Sequence, residues 1–469
     1  MLKFKIEKSE GLARAGVIKT PHGEIKTPAF VGAATRAAVK AMTVQQMRDL
    51  GAQAVLANTY HLVLVPGAEL VAEAGGLAKF MGWGGPTFTD SGGFQIMSLG
   101  TTHSAHLEPF PAVRAHRMSN TARLRSSKED SNCTQMRSAC KAIITEEGVE
   151  FRSHINGDKL MMSPESSMEA QWQIGSDIHM AFDCPVGYGV EEVDFEKTKE
   201  AMERTHRWAE RCLARHSEIR SFGCKRDSSP GKIPPAGDFS REFRTLTTKQ
   251  SDFLSKNTDN LESFFVRPGK KRCSEQLVSS PSQYQALYGV VQGGDFPELR
   301  KKSAEWFAER DFDGYGIGGM YEARKGEKLL KIMNEVLPDG KPRHWLGMGA
   351  EPIDLFVGTE NGIDTFDCVA PTRQGRNGAV YTRDGRVNIK NARFARDLRP
   401  IDAGCDCECC KNYTRAYLHH LLRVDEMTGK TLASIHNERF VVRLCEQIRE
   451  AILVGELEKF RAEFLGRYY

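Results

Sequence analysis

Eight short apolar runs, each leading into a Gly, Asp, Asn or Gln and then a helical pattern, constrain this chain more than any other feature. They lie at residues 29–31, 54–57, 87–89, 178–182, 287–291, 315–317, 344–346 and 363–366. Strand and helix periods in alternation are the grammar of β-α units around a parallel sheet. Eight such units favour an α/β fold of the (β/α)8 TIM-barrel kind, in which the loops after the strands converge on one mouth. The residues at those strand ends are Asn58, Asp90, Asp183, Gln292, Gly319, Gly347 and Asp367, a set rich in carboxylate and amide.

The intervening helices carry ordinary signals. Ser163-Pro164 places a cap and a first-turn proline before residues 165–174, and residues 203–214 and 298–308 repeat apolar side chains at helical spacing. Residues 16–31 read as two strands joined at Pro21-His22-Gly23, a hairpin suited to lie across the bottom of a barrel. Two stretches, 101 to about 140 and 217 to about 282, have no sustained apolar period and carry many Ser, Arg, Lys, Asn and Asp. They read as long disordered insertions, because strand grammar resumes on both sides.

Cys405, Cys407 and Cys410, followed by His436 on an expected helix, offer a tetrahedral ligand set for one Zn2+. Four protein ligands close the sphere and leave no position for an activated water, so the metal is expected to be structural. Cys409 lies in the same run and is the spare thiol, or else replaces Cys407 or Cys410. The expected division is a barrel over 1–400 interrupted by the insertions, a zinc-binding subdomain over 401–440, and a helical closure of the barrel over 441–469. With no run of about 18 apolar residues and no apolar core near the start, the chain is expected in the cytoplasm, without a membrane segment and with its twelve cysteines reduced. The net charge is only +4, yet residues 371–423 hold eleven Lys/Arg against five Asp/Glu, an uneven excess able to face phosphates.

Asp90, in Thr89-Asp90-Ser91-Gly92-Gly93-Phe94-Gln95, and Asp367, in Phe366-Asp367-Cys368-Val369-Ala370-Pro371, each end a strand in a turn bounded by glycine or proline. A carboxylate pair can act on a glycosidic carbon, one attacking C1′ while the other handles the proton, as in a retaining glycosidase; single aspartates in such places also cap helices. These segments, with the Asp183 turn, Val291-Gln292-Gly293-Gly294, residues 313–319, Gly347-Met348-Gly349, residues 367–376 and the cysteine cluster, resemble in order the motifs of bacterial-type tRNA-guanine transglycosylases, the queuine/preQ1 tRNA-ribosyltransferases. The resemblance covers nearly the whole chain outside the insertions.

The resemblance implies a pentosyltransferase of queuosine biosynthesis. It would exchange guanine for 7-aminomethyl-7-deazaguanine (preQ1) at wobble position 34 of tRNAs with GUN anticodons (Asp, Asn, His, Tyr), through a covalent enzyme-RNA intermediate on a flipped-out nucleotide. Direct insertion of queuine, or service as a non-catalytic tRNA-binding subunit, are the alternatives. By the same resemblance Asp367 is the nucleophile and Asp90 the proton acceptor. Asp90, Ser91, Gly92, Gly93, Phe94, Asp183, Gln292 and Gly319 would bind the 7-deazaguanine base, with Phe94 and Met320 sandwiching it. Met348, Gly349, Ala350, Glu351, Pro352, Ile353 and Asp354, with Thr372, Arg373, Gln374, Gly375 and Arg376, would contact the tRNA anticodon loop. A homodimer is implied as well. Two departures bear on the choice of base: the Asp183 turn is one residue shorter than in bacterial members, and Gly319 is followed by Met320-Tyr321-Glu322.

Overall fold

The structure, a computed structural model, describes residues 2–101, 142–185, 194–225, 284–319 and 323–469, with the backbone alone at 98–101, 222–225 and 323–325. The chain opens with an antiparallel sheet of β1 (Lys3–Glu10), β2 (Ala13–Thr20) and β3 (Gly23–Thr27). β4 (Ala29–Ala33), β5 (Val55–Asn58) and β6 (Thr87–Asp90) follow, and then a small antiparallel sheet of β7 (Ile143–Ile144), β8 (Val149–Arg152) and β9 (Lys159–Met162). β10 (Ile178–Met180), β11 (Ala286–Val291), β12 (Gly314–Ile317), β13 (Arg343–Trp345) and β14 (Thr365–Cys368) complete the main set. Strands β4, β5, β6 and β10 to β14 form one closed parallel barrel, sealed where Thr365 to Cys368 pair with Ala29 to Gly32. Each of the eight expected segments is a barrel strand.

Alternation along the strands explains the two cores. Val31, Leu56, Phe88, Met180, Tyr288 and Val290 fill the barrel, while their neighbours Phe30, Val55, Ala57, Leu287 and Val291 join the layer between strands and helices. That outer layer is built from α1 (Val44–Asp49), α2 (Thr59–Leu64), α3 (Ala68–Glu73), α4 (Leu77–Met81), α5 (Gly93–Thr101), α6 (Pro164–Ile174), α7 (Phe195–Lys225), α8 (Pro297–Ala308), α9 (Ala323–Asn334) and α10 (Pro352–Glu360). The Ser163 hydroxyl accepts from Ser166 N to cap α6 and Pro164 starts it, as the sequence predicts, and Gly175 ends it in the left-handed conformation.

The expected hairpin turn at Pro21-His22-Gly23 forms, but its second arm divides at Pro28, which has no N–H to continue the ladder, so β3 stays in the sheet and β4 enters the barrel. The sheet covers the N-terminal ends of the strands. Arg14 holds the Asp364 carboxylate just before β14 through Nε (2.9 Å) and a second nitrogen (2.5 Å), and His22 Nδ1 lies 2.8 Å from Asp177 just before β10. β1 and the sheet of β7 to β9 were not expected from the sequence. Residues 217–225, expected as part of an insertion, instead continue α7, where Ile219 keeps the apolar period and is buried. Residues 102–141 and 226–283, which hold nearly all of both expected insertions, lie outside the described residues.

After β14 come α11 (Ala370–Asn377), the hairpin β15 (Ala379–Val380) and β16 (Val387–Asn388), α12 (Glu408–Asn412), α13 (Arg415–Arg423), α14 (Met427–Val454) and α15 (Leu457–Tyr468). A second core between Val380 and Ile435 gathers Ile389, Phe394, Ile401, Leu418 and Leu422 around the cysteine run. It begins some twenty residues before the expected boundary at 400. The expected boundary at 440 falls inside α14, which carries His436 at one end and the barrel-packing residues Ile448 and Ile452 at the other. Among the described residues no helix is long and apolar enough to cross a membrane.

Candidate active site

Six of the strand-end groups meet at the mouth as three hydrogen-bonded pairs, Asn58 with Asp90, Gly347 with Asp367, and Asp183 with Gln292. Asp90, the last residue of β6, accepts from Asn58 Nδ2 (2.5 Å) at one oxygen and from Thr59 N and Gly92 N (both 3.1 Å) at the other. Burial pushes its pKa up to about 7 against the pull of those donors, and the charge of Asp367 pushes the same way. Asp90 therefore sits near half-protonation at neutral pH, the range in which a group can both give and take a proton.

Asp367, in β14, accepts from Gly347 N and from His344 Nε2, each at 3.0 Å, and both bonds fall on Oδ1. Among the described residues Oδ2 is the oxygen left open. His344 is fully buried inside the barrel on the neighbouring strand, and its Nδ1 lies 2.9 Å from Thr365 Oγ1. A Thr365 hydroxyl donating to Nδ1 places the ring proton on Nε2, aimed at the carboxylate. The sequence reading missed His344; the signal was its inward register position, opposite Thr365 and one strand from Asp367.

Beside these two lies the third pair. Asp183, three residues past β10, accepts from Gln292 Nε2 (2.7 Å) and from Ser91 Oγ (3.2 Å), and burial raises its pKa to about 6. Gln292 is itself caged: a Cβ at Gly318 would stand 2.6 Å from its Nε2, and one at Gly319, whose φ is +67°, 2.7 Å from its Oε1. A side chain at either position would push the Gln292 amide aside, and the left-handed backbone of Gly319 favours glycine there in its own right. Arg300 of α8, fully buried, locks the same two loops by donating to the carbonyls of Gly294 (2.8 Å), Val291 (3.0 Å) and Gly319 (3.1 Å). It too was missed, because a helical arginine reads as a solvated charge. Ser91, Gly92 and Gly93 are buried in the turn after β6, Phe94 is half-buried at the start of α5, and Met320 lies outside the described residues.

The expected RNA-contacting stretches flank the mouth unevenly. Met348, Gly349, Pro352 and Asp354 are buried; Ala350, Glu351 and Ile353 are half-buried, and Glu351 caps α10 and pairs with Arg386 at 2.6 Å. On α11, Arg373 is exposed, Gln374 and Arg376 are half-buried, and Thr372 and Gly375 are buried. Of the eleven basic residues between 371 and 423, Arg383, Arg386, Arg399 and Arg415 are held in ion pairs, which leaves the positive excess to the others among the described residues.

Away from the mouth, the ligand atoms of Cys405, Cys407, Cys410 and His436 all lie within 4.8 Å of one another, and Cys409 is buried outside the group. His436 Nε2 lies 2.6 Å from the Tyr381 carbonyl and can only donate to it, so Nδ1 carries the lone pair; it stands 3.3 Å from Cys410 Sγ and 3.7 Å from Cys407 Sγ. Those spacings match the edges of a tetrahedron with metal bonds of about 2.0–2.3 Å. The residues fit one tetrahedral metal ion.

Acidic and amide groups gathered over the C-terminal ends of a closed parallel barrel are the arrangement of barrel enzymes. A family model described as Queuine tRNA-ribosyltransferase matches residues 9–111, 101–234 and 270–469, and the chain belongs to that family. A queuine tRNA-ribosyltransferase of Desulforamulus reducens is 38% identical over 469 residues, covering 99% of this chain and 98% of its own. Proteins with the same description from Lysinibacillus sphaericus (38% identity; 97% of this chain, 93% of the relative) and Bacillus cereus strain Q1 (39%; 97% and 93%) are similar along nearly their whole lengths.

Proposed function

We propose that the protein is a tRNA-guanine transglycosylase that replaces guanine with preQ1 at position 34 of tRNAs with GUN anticodons. The observation that carries this reading is the mouth itself, where Asp90 and Asp367 lie in each other's field and the Asp183–Gln292 pair stands beside them. The open Oδ2 of Asp367 attacks ribose C1′, the bond to guanine N9 breaks, and the leaving base takes a proton from Asp90. The incoming base then surrenders its N9 proton to Asp90 and attacks C1′, and the bond to Asp367 breaks. One bond is exchanged for another of similar strength, so no external energy source enters. Asp183, ionised, accepts from the purine N1–H and exocyclic amine, while Gln292 and the Gly319 backbone meet O6.

The Cys405, Cys407, Cys410 and His436 cluster would hold one structural Zn2+, tying the second core to α14. We assign residues 1–400 with the insertions at about 101–140 and 226–282 to the barrel, 401–440 to the zinc subdomain, whose core draws in Val380, Ile389 and Phe394, and 441–469 to barrel closure, with α14 as the shared element. A cytoplasmic homodimer acting on the anticodon loop completes the reading.

Two measurements test it. Mixing the protein with tRNA and 9-deazaguanine should trap a covalent adduct that survives denaturing electrophoresis. Asp367→Asn should abolish both adduct and exchange, lowering turnover by more than about a thousandfold; exchange that survives rejects the nucleophile. Labelled guanine, preQ1 and queuine offered in parallel decide the base, and faster exchange with queuine overturns the choice of preQ1.

A further inference from the structure

The two donors on Asp367 crowd onto one of its oxygens, an asymmetry that orienting the carboxylate does not by itself require. His344 Nε2 and Gly347 N each lie 3.0 Å from Oδ1, while no donor reaches Oδ2 among the described residues. Asp90 differs, because its donors are shared between both oxygens. The place of His344 follows from the sheet. It stands opposite Thr365 in the register of β13 on β14, and Thr365 and Asp367, two residues apart, face the same side of β14. One ring therefore spans both: Nδ1 lies 2.9 Å from the Thr365 hydroxyl and Nε2 meets the carboxylate, while Phe88 packs on the ring with centroids 5.4 Å apart. The ring is fully buried, so no water competes for the proton that Thr365 directs to Nε2.

The asymmetry matters because free and bonded Asp367 differ in charge at Oδ1. In the free carboxylate both oxygens share the negative charge. Once Oδ2 has bonded to C1′, Oδ1 is the carbonyl oxygen of a neutral ester. A hydrogen bond to a charged acceptor is roughly twice as strong as one to a neutral acceptor, so donors at Oδ1 hold the free carboxylate more tightly than the ester. They act on the departure of the sugar. As the incoming N9 attacks C1′ and the C1′–Oδ2 bond breaks, its electron pair returns to the carboxylate, and the charge that reaches Oδ1 meets two N–H groups already in place.

We propose that His344 is a positioning residue that, with Gly347 N, makes Asp367 a good leaving group and so keeps the covalent RNA adduct short-lived. The inference rests on the transglycosylase reading given above and adds to it the side chain that sets the balance between adduct and free enzyme. A group that served only to aim Oδ2 would help the adduct form, whereas this donor favours its breakdown.

The test uses the full-length protein and tRNA at a fixed concentration of free guanine, where forward and reverse exchange settle to a steady ratio of adduct to free enzyme, read by denaturing electrophoresis. His344→Phe and His344→Met, which share the loss of the donor but differ in shape, should each raise that ratio about tenfold, chiefly by slowing the guanine-driven release of RNA from the adduct. His344→Gln, whose amide can donate to Oδ1, should stay within about threefold of wild type. A ratio that is unchanged or lower in whichever donor-free variant folds, as judged by thermal unfolding, overturns the proposal, because a group that serves packing or aim alone lowers activity without enriching the adduct. So does His344→Gln that is as rich in adduct as His344→Phe. A wild-type protein that forms no adduct with 9-deazaguanine and exchanges no base removes the transglycosylase reading itself, a distinct failure.

Discussion

Asp90 is where burial and chemistry pull against each other. Its ordinary pKa of 3.8 is pushed to about 7 by burial, so the fold prefers the neutral acid, and stability present below pH 4 is lost as pH rises through 7. Base exchange needs the neutral acid to protonate the departing guanine and the ionised form to accept the N9 proton, so kcat/KM for tRNA should fall as pH rises through about 7, while kcat/KM for the incoming base should rise up to about 7 and then level. Asp90→Asn should abolish both profiles and, at pH 8, raise unfolding stability by roughly 1–3 kcal/mol, a gain that shrinks toward pH 4; urea titrations at the two pH values read it. Arg300 works in the opposite sense. Its guanidinium satisfies three carbonyls of the Gln292 and Gly319 loops, and Arg300→Met should cost about 3 kcal/mol and raise KM for the incoming base more than it lowers kcat. Asp90, Asp183, Gln292 and Asp367 could be singled out from the sequence because they end strands or follow them closely in a repeating grammar. His344 and Arg300 were not, since a residue that orients another is defined by tertiary register, which no local pattern encodes.

At the scale of elements, α11 shows how the proposed RNA face is held. Gly375 packs so closely on α14 that a Cβ would stand 2.8 Å from the Ala433 carbonyl carbon and oxygen, backbone atoms that cannot rotate aside. Gly375→Ala should therefore destabilise by about 1–3 kcal/mol, despite alanine's better helix propensity, and should weaken tRNA binding as Arg373 and Arg376 shift with the helix. Thermal unfolding and a tRNA titration measure the two effects. The eight barrel strands were readable because both faces of each are buried, which makes them short apolar runs. β1 was not, because its Lys and Glu residues alternate with Phe4 and Ile6 on a strand that is largely exposed. The end of α7 was misjudged for a related reason: residues 217–221 are polar but for Ile219, which carries the buried stripe onward.

The whole molecule is joined by α14. One end supplies His436 to the metal cluster, and further along Arg439 donates to the Leu50 carbonyl (3.0 Å) and Arg449 to the carbonyls of Gly16 (2.8 Å) and Thr27 (2.7 Å). Removing the metal with a chelator should release one equivalent of zinc per chain and loosen the second core, lowering stability by several kcal/mol. Calorimetry with metal analysis checks this, and Cys405→Ser should reproduce it, whereas Cys409→Ser should retain the ion. The seam between β4 and β14 has a consequence for synthesis. Ala29 finds its partner Thr365 only after more than three hundred further residues have left the ribosome. Until then both rims of a growing sheet stand open, with unpaired N–H and C=O groups ready to join any neighbouring chain. A nascent chain arrested before residue 365 should accordingly be held by chaperones, and one extended through α14 should let go of them.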